Sequence, residues 1–143
     1  MPVRNALMSA GLLVLRIAIG CLMLVHGGQK LLGYSELVDK FPDPVGLGSQ
    51  LSLVGALAAE LGCSLLLIVG LATRLAALPL AFTMAVALFV VHANDPWAAK
   101  ELAAVYLCVY LALVLTGPGE FSLDRLIWKD KRRASAAGNP PPS

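Results

Sequence analysis

The chain has 143 residues, of which 58% are hydrophobic and 14% charged, with a formal net charge of +2. A soluble domain carries roughly 45–50% apolar and about 25% charged residues. The composition therefore excludes an ordinary soluble fold and points to a membrane protein whose first partner is the lipid bilayer, with no nucleic acid expected.

Four apolar runs follow one another, at residues 6–25, 51–72, 75–92 and 98–116. A ~30 Å hydrocarbon core needs about 20 helical residues, and about 17 still suffice, so each run is read as a span. Arg4 precedes the first run, and Ala18-Ile19-Gly20-Cys21 has some likeness to a lipoprotein cleavage site. Arg16 interrupts that run, however, and three further runs come after it, so it is read as a retained span rather than a signal peptide. The sizeable loop, from about Gly27 to Gln50, carries Phe41-Pro42-Asp43-Pro44 and Gly46-Leu47-Gly48, which break regular structure. It is expected to fold over the mouth of the bundle.

Only Thr73 and Arg74 separate the second and third runs, which predicts a tight helical hairpin, and Pro79 is tolerable in the first turns of the third. Asn94-Asp95-Pro96-Trp97 makes the next turn, and Gly117-Pro118-Gly119 stops the fourth helix. Residues 117–133 then read as an amphipathic and basic segment on the inner surface, with Phe121, Leu123, Leu126, Ile127 and Trp128 on its apolar side. The Pro-rich end, 134–143, is expected to be disordered. The fold class is all-α: a single-domain integral membrane four-helix bundle.

Short cytoplasmic loops carry the excess of Lys and Arg. With both termini inside, Arg4, Arg74, Arg125, Lys129, Lys131, Arg132 and Arg133 face the cytoplasm, against Lys30, Lys40 and Lys100 outside. The expected orientation thus has both ends of the chain cytoplasmic. Tyr34, Phe41, Trp97 and Trp128 fall near the predicted boundaries, where aromatic rings settle at headgroup level. Cys21, Cys63 and Cys108 form no CxxC pattern and read as small buried hydrophobes.

Two opposite charges interrupt the first two runs, Arg16 and Glu60. An isolated charge at the centre of a membrane helix costs roughly 2.5–3.5 kcal/mol on insertion scales, so each needs a partner, a watery cavity or a task. With helix ends set near His26 and Leu51, the two residues lie about 15 and 13.5 Å below the outer surface, and antiparallel neighbours would pair them. The faces that carry them are lined by small residues: Ser9, Gly20, Met23 and Gly27 on one helix, and Ser52, Ala56, Ala59, Cys63 and Ser64 on the other. Small faces let membrane helices approach closely. Tyr106 and Tyr110, four apart, share one face of the fourth helix, while His26 and His92 sit at outer helix ends with Gln29 and Lys30 close by. Together these suggest a polar funnel leading from the outer surface toward the midplane. Two histidines fall short of a metal-ligand set, and no metal is expected.

Arg16-x-x-x-Gly20, His26-Gly27-x-x-Lys30-Leu31, Glu60-Leu61-Gly62 and Gly70-Leu71-x-Thr73-Arg74-Leu75-Ala76-Ala77, in this order, resemble the DoxX family of small bacterial inner-membrane proteins. The resemblance covers about Leu12 to Thr116. It implies a four-helix membrane bundle with cytoplasmic termini, a link to quinol oxidation, and family-like polar positions at Arg16, His26, Lys30, Glu60 and Arg74.

The expected function is a membrane redox accessory or oxidoreductase subunit that binds a quinone-like ligand, the only cofactor class suggested, in the outer half of the bundle. Arg16, Glu60 and His26 are the expected catalytic groups, and Lys30, Gln29, Tyr106, Tyr110 and His92 the ligand-binding ones. A homo-oligomer or a larger membrane redox complex is the expected assembly. The alternatives are a scaffold that uses the Arg16–Glu60 pair to set helix register, and a small-solute or lipid carrier.

Overall fold

The structure is a computed structural model that describes residues 2–128, with side chains described from Asn5 onward. The expectations for residues 129–143, the rest of the basic segment and the Pro-rich end, lie outside the described residues. Four helices are long and apolar enough to cross a membrane. They are α1 (Pro2–Leu32), α3 (Ser49–Val69), α4 (Thr73–Val91) and α5 (Trp97–Thr116). A short α2 (Tyr34–Leu37) lies in the loop after α1, and residues 123–128 form a last helical turn and a half, α6. The described residues contain no strand, so the all-α membrane bundle read from the sequence is the fold.

α1 packs against α3, α3 against α4, and α4 most extensively against α5. The α1–α3 contact rests on the small residues of the sequence reading. A Cβ at Gly27 would come within 3.2 Å of the Glu60 Cβ, and one at Gly20 within 3.1 Å of the Ser64 carbonyl oxygen. Both glycines are therefore needed for the backbones to approach this closely. The core between the helices is built from Met23, Leu67, Leu80, Tyr106, Tyr110 and Leu113, all at or near zero exposure.

Two element boundaries and the burial of the cysteines differ from expectation. α1 runs to Leu32, past His26-Gly27-Gly28, because glycines at a packed membrane-helix face do not end a helix in the absence of a proline. The turn between α3 and α4 is Gly70–Ala72, with Thr73 and Arg74 already in α4. Gly70 has φ 73° and Ala72 φ 48°, both left-handed, and this reverses the chain within three residues. Cys21 and Cys108 face outward and Cys63 is half-buried, so the buried reading of the cysteines fails; in a bilayer an exposed thiol faces lipid at little cost.

Two stretches depart from α-helical hydrogen bonding. Ala58–Cys63 in α3 and Ala87–Val91 at the end of α4 form wider, π-helical turns. The first is centred on Glu60. Single π turns of this kind recur at functional sites, where they displace side chains from the regular helical positions.

Candidate functional site

The polar residues singled out in the sequence separate into two groups at opposite ends of the bundle, and the expected Arg16–Glu60 pair does not form. Gly27 of α1 lies opposite Glu60, whereas Arg16 lies against Gly70. Eleven residues of α1 separate those levels, or ~16 Å at the α-helical rise. The expected pairing failed because it placed the end of α1 near His26, when the helix continues to Leu32 and carries Arg16 correspondingly deeper.

Arg16 is completely buried at the end of the bundle that holds the Gly70–Ala72 turn and residues 117–128. Its Nη2 donates to the Phe121 carbonyl oxygen at 2.5 Å, and the Asp124 carboxylate acts on its charge. Asp124 in turn accepts from the backbone N–H groups of Ala72 at 2.7 Å and Thr73 at 3.0 Å. These are amides at the start of α4, which no carbonyl within the helix can satisfy. Nearby, the Glu120 N–H donates to the Ser9 hydroxyl at 3.1 Å, and Arg74 Nη2 donates to the Leu115 carbonyl at 3.2 Å. Arg16, the Gly70 turn and Asp124 thus form a clasp that fixes the segment after α5 to the bundle. Arg16 and Arg74 meet these groups and are absent from the lining of the cavity at the other end.

The second group lines a cavity of about 190 Å³ at the other end. Its walls include His26 and Lys30 from α1, Glu60 from α3, Met84 and His92 from α4 and its following turn, and Tyr106 from α5. Glu60 is fully buried, and one of its carboxylate oxygens is bonded by the Lys30 ammonium, whose side chain keeps 31% exposure. The other oxygen, Oε2, has no hydrogen-bond partner among the described residues. The desolvation of Glu60 is thus offset on one side only, at a residue that lines a cavity.

The aromatic residues continue the site inward. His26 and Tyr106 meet edge to face, with centroids 5.7 Å apart and planes at 83°, and the Tyr110 ring lies 6.0 Å beyond Tyr106. Tyr110 is wholly buried with its hydroxyl unpartnered among the described residues, and the Glu60 charge acts on both tyrosines. Tyr110 lies behind the cavity wall rather than in it, and Gln29 is exposed and takes no part in that wall. His92 lines the cavity and holds Asp95 Oδ2 through its Nδ1 at 2.7 Å.

The loop 38–48 closes over this end. The Phe41 ring lies 5.8 Å from Lys30 Nζ, within cation–π range. Asp43 accepts from the Leu47 and Gly48 amides at 3.0 and 2.7 Å and from the Ser52 hydroxyl at 2.8 Å, and so pins the loop to the start of α3. The Gly48 amide and then the Ser52 hydroxyl hold the Asp43 carboxyl below the usual carboxylate range. The sequence signal for this role was the Asp43 position in a Pro- and Gly-rich loop just ahead of a helix start, a common setting for side-chain capping. The sequence reading had no signal for the clasp role of Asp124, since its partners are 51 and 52 residues away.

The DoxX family model matches residues 11–93, more than half of the chain and all of the motif-bearing part of α1, α3 and α4. The chain belongs to the DoxX family. Among DoxX relatives, an Escherichia coli protein named "Inner membrane protein YqjF" is 34% identical over 125 residues, covering 83% of this chain and 93% of that protein. A Bacillus subtilis protein named "Putative oxidoreductase CatD" is 31% identical over 134 residues, covering 93% of this chain and 98% of that one. A second Escherichia coli relative, "Inner membrane protein YphA", is 28% identical and covers 80% of this chain and 88% of its own. No solved structure matches this DoxX chain significantly.

Proposed function

We propose that this DoxX protein is a membrane component of redox metabolism that takes a quinone-like ring into the cavity beside Glu60. The observation that carries the reading is Glu60, a buried residue of the cavity lining whose carboxylate is bonded by Lys30 on one oxygen and unpartnered among the described residues on the other. An ionisable residue at such depth marks a ligand or proton site by default. A ring hydroxyl donates to the free carboxylate oxygen, a ring carbonyl accepts from Lys30, and the edge-to-face His26 and Tyr106 give an aromatic ring a matching wall. Oxidation of a quinol releases two protons and two electrons. Glu60 takes one of the protons directly, His26 relays the other to the outer water, and the electrons pass to a redox partner in a larger membrane complex. The printed name of the Bacillus subtilis relative supports the oxidoreductase class. The basic residues support cytoplasmic termini, which puts the cavity in the outer half of the inner membrane.

The test is native mass spectrometry of the protein released from native-lipid nanodiscs, with identification of the small molecule that accompanies it. A stoichiometric quinone that disappears in Glu60→Gln is the expected result. Bulk lipid alone, or a co-purifying protein without a ring compound, overturns the reading in favour of a scaffold.

A further inference from the structure

The cavity at Glu60 is too small to hold more than a ring. At ~30 Å³ per water in the liquid it has room for about six waters, and it falls below the roughly 300–1,000 Å³ of ordinary small-molecule sites. A second, larger space of about 410 Å³ opens between α3 and α4 beneath the 38–48 loop, and the two share Lys30, Met84, Ala87 and His92 as a common wall. The larger space is a groove of different chemistry, lined by Pro42 and Leu47 from the loop, Gly55 and Ala59 from α3, and Phe82 and Val86 from α4. Apart from Lys30, His92, Ser52 and Thr83 at its margins, every lining residue is apolar.

We infer that the ligand of this site is an amphiphile, a polar ring carrying a long apolar chain, with the ring beside Glu60 and the chain laid in the α3–α4 groove. The inference rests on the ring reading given above and adds the second half of the molecule. Three observations carry it. The groove lies between two membrane-length helices, at the depth where a hydrocarbon chain is at home and water is not. It adjoins the polar cavity, the two spaces meeting at four shared residues, so a ring and its chain fall in neighbouring spaces. Lys30 stands at the junction, held between Glu60 and the Phe41 ring, where an ammonium meets a polar head while its methylenes run beside a chain. Such a ligand enters sideways from the bilayer, and the loop covers it from the water.

Gly55 provides the test. It lines the groove, and a Cβ built there meets no atom within 4 Å, so a larger side chain fills the groove without colliding with the bundle. Two photoreactive probes are compared in nanodiscs: a benzoquinone with a diazirine on the ring and no chain, and a benzoquinone with a decyl chain and the diazirine at the chain end. The expected result is that the ring probe labels peptides containing His26 or Tyr106, while the chain probe labels residues 55–59 and 79–86. In Gly55→Leu the chain label should fall at least tenfold and the ring label should stay within twofold. Chain labelling on the outer surfaces of α1 or α5, with the ring label still in the cavity, overturns the groove and leaves the ring reading standing. Equal labelling by the chain probe in the wild type and Gly55→Leu does the same. Absence of ring labelling in the cavity overturns both.

Discussion

Lys30, in the last turn of α1, bonds the carboxylate of Glu60 at the centre of the π-helical turn in α3, and so joins a partly exposed cation to a fully buried anion. This contact ties α1 to α3 at the mouth of the bundle. It also sets a cation beside the buried anion at the cavity.

Removing the cation alone should therefore be costly. Lys30→Met leaves Glu60 uncompensated and should destabilise the protein by about 3 kcal/mol, at the low end for broken buried pairs because Lys30 retains some exposure. Lys30→Met combined with Glu60→Met should recover most of that loss. Unfolding measured by steric trapping in bicelles reads both. Losses that simply add would show that the two residues are not coupled.

Arg16 should behave in the opposite way, as a residue whose loss is felt only at the far end. Arg16→Met removes the donor to Phe121 and should cost about 2 kcal/mol, as for a hydrogen bond to a charged group. Hydrogen exchange should rise across 119–128, while labelling of the cavity by a ring probe stays unchanged. A loss of ring labelling with no change in exchange would place Arg16 back in the site.

The other half of the clasp is Asp124. Asp124→Ala deprives the Ala72 and Thr73 amides of their acceptor, a helix-capping loss of about 1–2 kcal/mol. Asp124→Asn keeps one acceptor oxygen and should lose less. Thermal denaturation in detergent orders the three proteins, and an alanine variant as stable as the wild type would remove the capping role.

The loop should loosen in acid. The Asp43 carboxyl is held below its ordinary value by the Gly48 amide and the Ser52 hydroxyl. Its contribution is therefore complete above the unfolded pKa of about 3.9 and is lost as the pH falls below that toward the folded value. Limited proteolysis between residues 38 and 48 should be slow at pH 5 and fast below about pH 3.5, a range set by the same reference value. In Asp43→Asn it should be fast at both, and pH-independent cleavage of the wild type would exclude this role.

Much of the architecture could be read from the residues because it follows from local rules. Length and hydropathy gave four spans, and helical periodicity put Ser9, Arg16, Gly20, Met23 and Gly27 on one face, all of which are buried. Tyr106 and Tyr110 share a buried face for the same reason. The candidate site was only partly legible. The sequence reading gathered Glu60, His26 and Tyr106 into one polar funnel, but it set His26 at the outer surface with Glu60 about 13.5 Å below it, and it missed the partner of Glu60. Pairing across two antiparallel helices depends on where each helix ends, and Gly27-Gly28 looked like an end when it was a packing surface. A shift of a few residues in that end exchanged Arg16 for Lys30. The clasp needed residues from α1, the Gly70 turn and the 119–124 segment to meet, and no spacing in the sequence reports such a meeting.

The π-helical turn at Ala58–Cys63 also has a bearing on how this chain tolerates change in length. A π turn holds one residue more than the α turn it replaces. Deleting a single residue there restores regular winding without breaking the helix, but swings Glu60 around the axis relative to Ser64 and the rest of α3. The bundle would still assemble and still sit in the membrane, yet the carboxylate would turn away from Lys30. At this point in the chain, the count of residues matters as much as their identity.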